Sequence, residues 1–315
     1  SCILSRRKSK ICNMENEGAK VVESSVKRVM IVDALNMYFR AYIVDPSLST
    51  NGQPIGGVKG FLKILQKLSR DLKPDMVAIC WDGPGGSLKR RSIVKEYKQG
   101  RKAIRLNRET NLTENEELEN KVWQQTRLLE YLNQLPVVQY MFPEVEADDV
   151  IAYVAQSEKF NGWQKIIVSS DKDFLQLCDD ETVLFRPIQK KVHNRNNVVE
   201  EYGIHPENKN FSLEEIVEYC REFRPDDKRR PKFYEAITTN EEIIRLNYRL
   251  MQLYSPTISL QTQNKIDYGF DNFSYDYNRT EFIKMMNEDG FGVFNWTDLY
   301  GIMNRISVDK PLHKE

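Results

Sequence analysis

Three short apolar runs, each ending in an aspartate, constrain this chain most. Val29-Met30-Ile31-Val32 runs into Asp33, Met76-Val77-Ala78-Ile79-Cys80-Trp81 into Asp82, and Lys165-Ile166-Ile167-Val168-Ser169-Ser170 into Asp171. The runs are rich in β-branched residues and do not alternate with polar ones, the pattern of strands buried on both faces. Between them lie segments with helical spacing, such as Gly57 to Leu72 with Val58, Phe61, Leu62, Leu65 and Leu68 on one face. Strands alternating with helices predict an α/β fold, a twisted and mainly parallel sheet flanked by helices. Ligands of such sheets bind outside the carboxyl ends of the strands. Asp33, Asp82 and Asp171 are therefore expected at one functional edge.

Four more acids belong to the same cluster. Asp173 follows Asp171 by two residues, while Glu146, Asp148 and Asp149 open a helix-like segment at Val150, where carboxylates favour the positive end of the helix dipole. Seven carboxylates at one edge repel one another unless cations sit among them. Hard oxygen donors with no His or Cys nearby point to magnesium or manganese. Taken singly, an aspartate after a strand is as readily a turn former or an N-cap. Three strand ends of the same chemistry are harder to read that way.

Net charge excludes nothing, because Lys+Arg and Asp+Glu balance at 46 each. Its distribution is informative. Residues 87–108 carry nine cations (Lys89, Arg90, Arg91, Lys95, Lys98, Arg101, Lys102, Arg105, Arg108) against one acid, Glu96. Such runs are usually solvated faces. This one begins just after Asp82 and the chain-breaking Gly83-Pro84-Gly85-Gly86, and it holds Tyr97 at its centre. That combination suits a segment that neutralises a phosphate backbone and offers an aromatic to a base. An acidic stretch, Glu109 to Glu119, follows, and the two together read as one long insertion ahead of a helix from Val122 to Leu135.

The five cysteines are scattered and have no metal-type spacing, which predicts a reduced, cytoplasmic protein. No apolar run approaches the ~20 residues a membrane helix needs. Residues 1–27 read as a disordered lead with Met14 as a candidate start; Glu15, Glu17 and Glu23 break the acid-poor pattern of a transit peptide.

Taken in order, Ile-Val-Asp33-Ala-Leu-Asn, Trp81-Asp82-Gly83, Arg90 with Tyr97-Lys98-Gln99-Gly100-Arg101, Glu146-Ala-Asp148-Asp149 and Asp171-Lys172-Asp173-Phe174-Leu175-Gln176-Leu177 resemble the 5′ nuclease (flap endonuclease) superfamily. The nearest likeness is to the 5′ nuclease domain of bacterial DNA polymerase I and to bacteriophage 5′ exonucleases and ribonucleases H. The resemblance covers roughly residues 28–208. It implies that Asp33, Asp82, Glu146, Asp148, Asp171 and Asp173 bind metal, with Asp149 as a neighbour. It implies that Lys98 and Arg101 act at the scissile phosphate from the base of a helical arch, at about 87–120. Arg40, Lys89, Arg90, Arg91, Tyr97, Lys102 and Arg105 would contact nucleic acid. The implied activity is metal-dependent hydrolysis at 5′ ends or flaps of DNA and RNA–DNA, in flap or RNA-primer removal. A single-strand-binding protein or polymerase is the implied partner, and the cytoplasm, a host's for a phage protein, the implied location. No general-base histidine is needed, and His193, His205 and His313 lie elsewhere.

After Gly203-Ile204-His205-Pro206-Glu207-Asn208 the chain departs from the family. The family usually places a helix–hairpin–helix there, with acids for a second metal and a glycine-rich hairpin; here no glycine occurs between Gly203 and Gly269. Instead Ser212 opens a capped helix over Leu213 to Phe223. Residues 209–315 are expected to form a smaller helical region, with helices over Asn240–Tyr254, Thr280–Asn287 and Trp296–Ile306 and Thr280 as an N-cap. The aromatics from Tyr268 to Tyr277 are read as core rather than as a stacking surface. Two other readings stay open: a PIN-type ribonuclease, against which the basic segment argues, and a non-catalytic binder of branched nucleic acid with an incomplete metal site.

Overall fold

The structure is a computed structural model and describes residues 26–95, 97, 104–106, 112–202, 212–222, 232–256, 258–276 and 278–308. Its centre is a six-stranded sheet of β1 (Arg28–Asp33), β2 (Met76–Trp81), β3 (Val138–Met141), β4 (Gln164–Val168), β5 (Thr182–Arg186) and β6 (Lys191–His193). The order is β3-β2-β1-β4-β5-β6. The first five strands in that order are parallel, and β6 alone pairs antiparallel, at the β5 edge. The apolar runs therefore form the strands the sequence predicts. β2 is buried at every position and β1 at all but its first, as expected of strands covered on both faces.

The topology explains why the acids meet. From β1 the chain builds outward through β2 to β3, then returns and builds the other way through β4 and β5. β1 and β4 flank the point where the winding reverses, which is where open α/β sheets leave a crevice. Asp33 ends β1, Asp82 follows β2, and Asp171 follows β4, so three neighbouring strands deliver their aspartates to one edge.

Helices cover both faces. α1 (Ala34–Val44) leaves β1 directly and packs on α2 (Gly56–Leu72); a short α3 (Leu88–Ile93) follows β2; α4 (Glu114–Leu132) leads into β3 and α5 (Ala147–Gln156) into β4. α4 starts eight residues before the helix expected from Val122. Its first turn is fixed by a capping box in which Thr113 and Glu116 exchange side chain-to-backbone bonds. The acidic stretch is thus partly the first turn of a helix, where carboxylates suit the dipole.

The rest is helical: α6 (Arg195–Tyr202), α7 (Leu213–Glu222), α8 (Lys232–Thr239), α9 (Glu241–Met251), α10 (Leu260–Asp271), α11 (Arg279–Glu288) and α12 (Trp296–Val308). Ser212 and Glu215 cap α7 reciprocally, as expected. α11 instead takes Asn278 as its N-cap, accepting from the Glu281 N–H, so Thr280 is not the cap. α10 to α12 share the core with the sheet: Ile266, Phe270, Phe282, Phe291, Leu299 and Ile306 belong to the same buried cluster as Val29. Of the C-terminal aromatics, Phe270 and Tyr275 are buried and Tyr268 is exposed; Tyr277 lies outside the described residues. No helix among the described residues is long and apolar enough to cross a membrane.

Candidate active site

At the carboxyl edge a cavity of about 270 Å³ has Asp33, Asp82, Asp148 and Asp171 on its walls. The rest of the lining is Leu35, Asn36, Phe39 and Ile104. Each acid is positioned by the backbone around it. Asp33 is the N-cap of α1, accepting from the Asn36 N–H at 3.2 Å, and its other oxygen accepts from the Ser169 hydroxyl at 2.7 Å. Asp82 accepts from the Ala147 N–H at 2.7 Å, so a residue after β2 caps α5. That approach needs Gly83, where a Cβ would fall 1.6 Å from the Phe142 carbonyl oxygen. Asp171 accepts from the Asp173 N–H at 2.9 Å and donates its own N–H to Ser169 Oγ at 3.1 Å. Ser169 thereby links Asp33 to the Asp171 turn, and the Asn36 side chain accepts from the Ser170 N–H at 3.1 Å.

Electrostatics register the crowding. Burial pushes the Asp33 carboxyl up to about 6; the Ser169 and Asn36 hydrogen bonds pull it back, and the charges of Asp82 and Asp171 push it further up. A cation in the cavity relieves each of those upward pressures. The donor set fits a hard divalent ion, since the four acids offer only oxygen. Cys80, beside Asp33 in the sheet register, is no soft competitor, because burial holds its thiol protonated, far above its ordinary range. Among the described residues no three Asp, Glu, Cys or His side chains converge closely enough to hold a metal by themselves. An ion here would keep waters in its shell, as magnesium does.

The remaining acids stand differently. Arg90 reaches Asp149 through two nitrogens, at 3.0 and 3.2 Å, and also bonds Glu146. Both carboxylates are buried, Glu146 at 1% exposure. Burial raises the Asp149 pKa, and Arg90 opposes the rise. Asp173 feels both groups: burial and the Asp171 charge raise its pKa, while Arg90 opposes the rise. Arg90 thus sits among the acids that the sequence assigns to metal.

Of the other basic-segment residues, Lys98, Arg101 and Lys102 lie outside the described residues. Lys89 and Arg91 are exposed on α3 and Tyr97 is half-buried. Arg105 is held on α4, with Nη1 2.7 Å from Glu114 and Nε 2.9 Å from Glu117. Arg40 points into a second cavity, of about 590 Å³, shared with Lys63 and Asp45. Its Nη1 is buried with no hydrogen-bond partner among the described residues, and burial lowers its pKa.

Sequence reasoning missed the seam with the C-terminal helices. Gln176, in the 3₁₀ turn Asp173–Leu177, donates to the Asp173 and Met251 carbonyls at 2.7 and 3.0 Å and accepts from the Leu253 N–H at 2.8 Å. Gln156, ending α5, donates to the Leu253 carbonyl at 2.9 Å, and Arg90 Nε donates to the Leu250 carbonyl at 2.9 Å. Two acid-bearing elements and the helix that carries Arg90 thus grip Leu250–Leu253. Gln176 was legible within its motif; Ser169 and Ile104 gave no signal.

Residues 28–203, more than half of the chain, match the family model described as the 5′-3′ exonuclease N-terminal resolvase-like domain. The chain belongs to this family. Among relatives of this 5′-3′ exonuclease family, it is 28% identical over 183 residues to a 5′-3′ exonuclease of Aquifex aeolicus, covering 58% of each chain. It is 30% identical over 188 residues to DNA polymerase I of Bacillus subtilis, covering 58% of this chain and 20% of the polymerase. The chain therefore spans under two thirds of the length of these relatives. In fold it is similar to the T5 D15 protein co-crystallised with metal ions, with a TM-score of 0.56 at 15% identity, covering 82% of this chain and 99% of that one. A bacteriophage T5 D15 flap endonuclease complex with DNA and metal ions aligns with a TM-score of 0.51 at 14% identity, covering 89% and 99%. These likenesses show a shared fold over most of the chain. The departure from the family expected after Asn208 begins at residues 203–211, which lie outside the described ones, as do residues 223–231.

Proposed function

We propose that the chain is a divalent-metal-dependent 5′ nuclease that hydrolyses phosphodiesters at 5′ ends or flaps of DNA and of RNA–DNA hybrids. The observation that carries this is the cavity where Asp33, Asp82, Asp148 and Asp171 meet at the switch point of the sheet, bordered by the end of a basic segment. Family membership supports it, as do the DNA and metal ions named with the T5 protein.

A bound divalent ion supplies an activated water and charge stabilisation for the leaving oxygen. The chain's own residues do the rest. Asp33, Asp82, Asp148 and Asp171 would hold the ion, magnesium or manganese, and two ions are proposed in all. Ser169, Asn36 and the Ala147 N–H fix the carboxylates before substrate arrives, so little reorganisation is needed. The basic segment draws the phosphate backbone towards the edge. Lys98 and Arg101 are the proposed cations at the scissile phosphate. Replication proteins, such as a polymerase or a single-strand-binding protein, and the cytoplasm remain the proposed partners and setting.

The deciding experiment is cleavage of a 5′-labelled flap duplex and an RNA–DNA hybrid with Mg²⁺, against Asp171→Asn. Junction-proximal cleavage lost in the variant supports the nuclease. One observation favours a second reading, a non-catalytic binder of branched DNA: Arg90 already occupies Glu146 and Asp149. Flap binding without cleavage, with one Mn²⁺ or none bound in calorimetric titration, would support that reading.

A further inference from the structure

Glu117 lies on α4, away from the acid cavity, yet it holds the element that borders it. Its side chain is buried; Oε2 accepts from Arg105 Nε at 2.9 Å and Oε1 from the Leu106 N–H at 2.7 Å. Its own carbonyl accepts from the hydroxyl of buried Tyr42 on α1 at 3.4 Å. Arg105 reaches a second carboxylate, Glu114, at 2.7 Å. On either side of Arg105, Ile104 and Leu106 pack against the core, and Ile104 also lines the acid cavity. The return end of the basic segment is therefore docked by one buried carboxylate that takes both a guanidinium and a backbone N–H.

A segment so rich in like charge repels itself and extends unless its ends are fixed. Its first end is fixed by Arg90 on Glu146 and Asp149, its return end by Glu117. Both anchors belong to the folded core, so their separation is set before any strand arrives, which removes an ordering cost from binding. Charge-assisted bonds to a shielded carboxylate are the stronger kind, and Glu117 makes two contacts that fix one short stretch of backbone.

We propose that Glu117 is a positioning residue for the basic segment. It holds Ile104 in place so that, with Leu35 and Phe39, it forms an apolar wall facing the carboxylates, and a phosphodiester strand is confined between wall and acids. This deepens the nuclease reading and rests on it for the substrate. Glu117 touches neither substrate nor metal and acts through Arg105 and Leu106.

The test uses Glu117→Gln, Arg105→Gln and the double variant. Limited trypsin digestion of the free protein reads the docking. Each single variant should be cut between residues 95 and 108 about tenfold faster, the scale of losing one charge-assisted bond, while global melting changes far less. The double should be no worse than the worse single, because the two residues act as one contact. On a 5′-flap duplex, KM should rise by about the same factor with kcat within about twofold, the split expected when binding alone is lost. Should Glu117→Gln fold poorly, Arg105→Gln, altered on the half-exposed side of the pair, carries the test. Wild-type protection from trypsin in both single variants overturns the proposal. So does faster digestion with KM unchanged, or a loss carried by kcat alone. A wild-type protein that cuts no flap sinks the nuclease reading, and the digestion arm still decides the docking.

Discussion

The acidic edge has two halves built from the same residue type and neutralised by different means. Around the cavity, Asp33, Asp82 and Asp171 accept from neutral donors: a serine hydroxyl and backbone N–H groups. Beside them, Glu146 and Asp149 are held by a guanidinium. At Asp33 the first half is left electrostatically strained, whereas the second has one guanidinium set between its two carboxylates. Strain of this kind marks where a mobile cation belongs, whereas an internal ion pair marks where the fold supplies its own.

The sharpest way to break this contrast is Arg90→Met. It leaves two buried carboxylates without their cation, and breaking a buried pair costs about 3–5 kcal/mol. Urea unfolding should show a loss of that size, whereas a change below 1 kcal/mol, on the order of an exposed ion pair, would mean that Glu146 and Asp149 need no fixed cation. On the cavity side, Asp82→Asn and Asp171→Asn should each lower single-turnover flap cleavage by roughly 10²–10³-fold, the scale of removing one preorganised electrostatic contact. They should leave the melting temperature unchanged or raised.

Asp33→Asn tests the strain directly. Asp33 titrates at about 6 in the folded chain against an ordinary 3.8, so the stability it contributes is fully present below about 3.8 and lost as pH rises through about 6. At neutral pH the variant should therefore be more stable by about 3 kcal/mol, with the advantage gone near pH 4. Melting in EDTA at both pH values measures this. Mg²⁺ should narrow the gap at neutral pH by stabilising the wild type; a gap indifferent to pH and to metal would overturn the strained-cavity picture. The smallest effect is expected from Ser169→Ala, which removes the hydroxyl shared by Asp33 and Asp171 and should cost about 1–2 kcal/mol of stability.

Much of this was legible in sequence for a physical reason. Strands buried on both faces cannot alternate, so Val29–Val32, Met76–Trp81 and Ile166–Val168 announced both themselves and the parallel sheet. Once the sheet was parallel, the terminal aspartates had to share an edge. The start of α4 was also written, in Thr113-Glu114-Asn115-Glu116, but the run of acids obscured the capping box. The division of the acids into two halves was not legible. It depends on Arg90 crossing 56 residues of sequence to Glu146, and nothing local in a guanidinium says which carboxylate it will meet. The partners of Arg105, Glu114 and Glu117, were illegible for the same reason.

The seam at Leu250–Leu253 bears on how such a protein can change over time. The groups recognised there by Arg90, Gln156 and Gln176 are the carbonyls of Leu250, Met251 and Leu253 and the N–H of Leu253. All are main-chain atoms, which almost any residue provides. The elements at the acidic edge thus specify a backbone path and leave its side chains unread. Helices hung on that path can drift in sequence, or be exchanged, without loosening their grip on the sheet, while the two glutamines and the arginine cannot. Drift would then concentrate on one side of the join, and the fixed residues on the other.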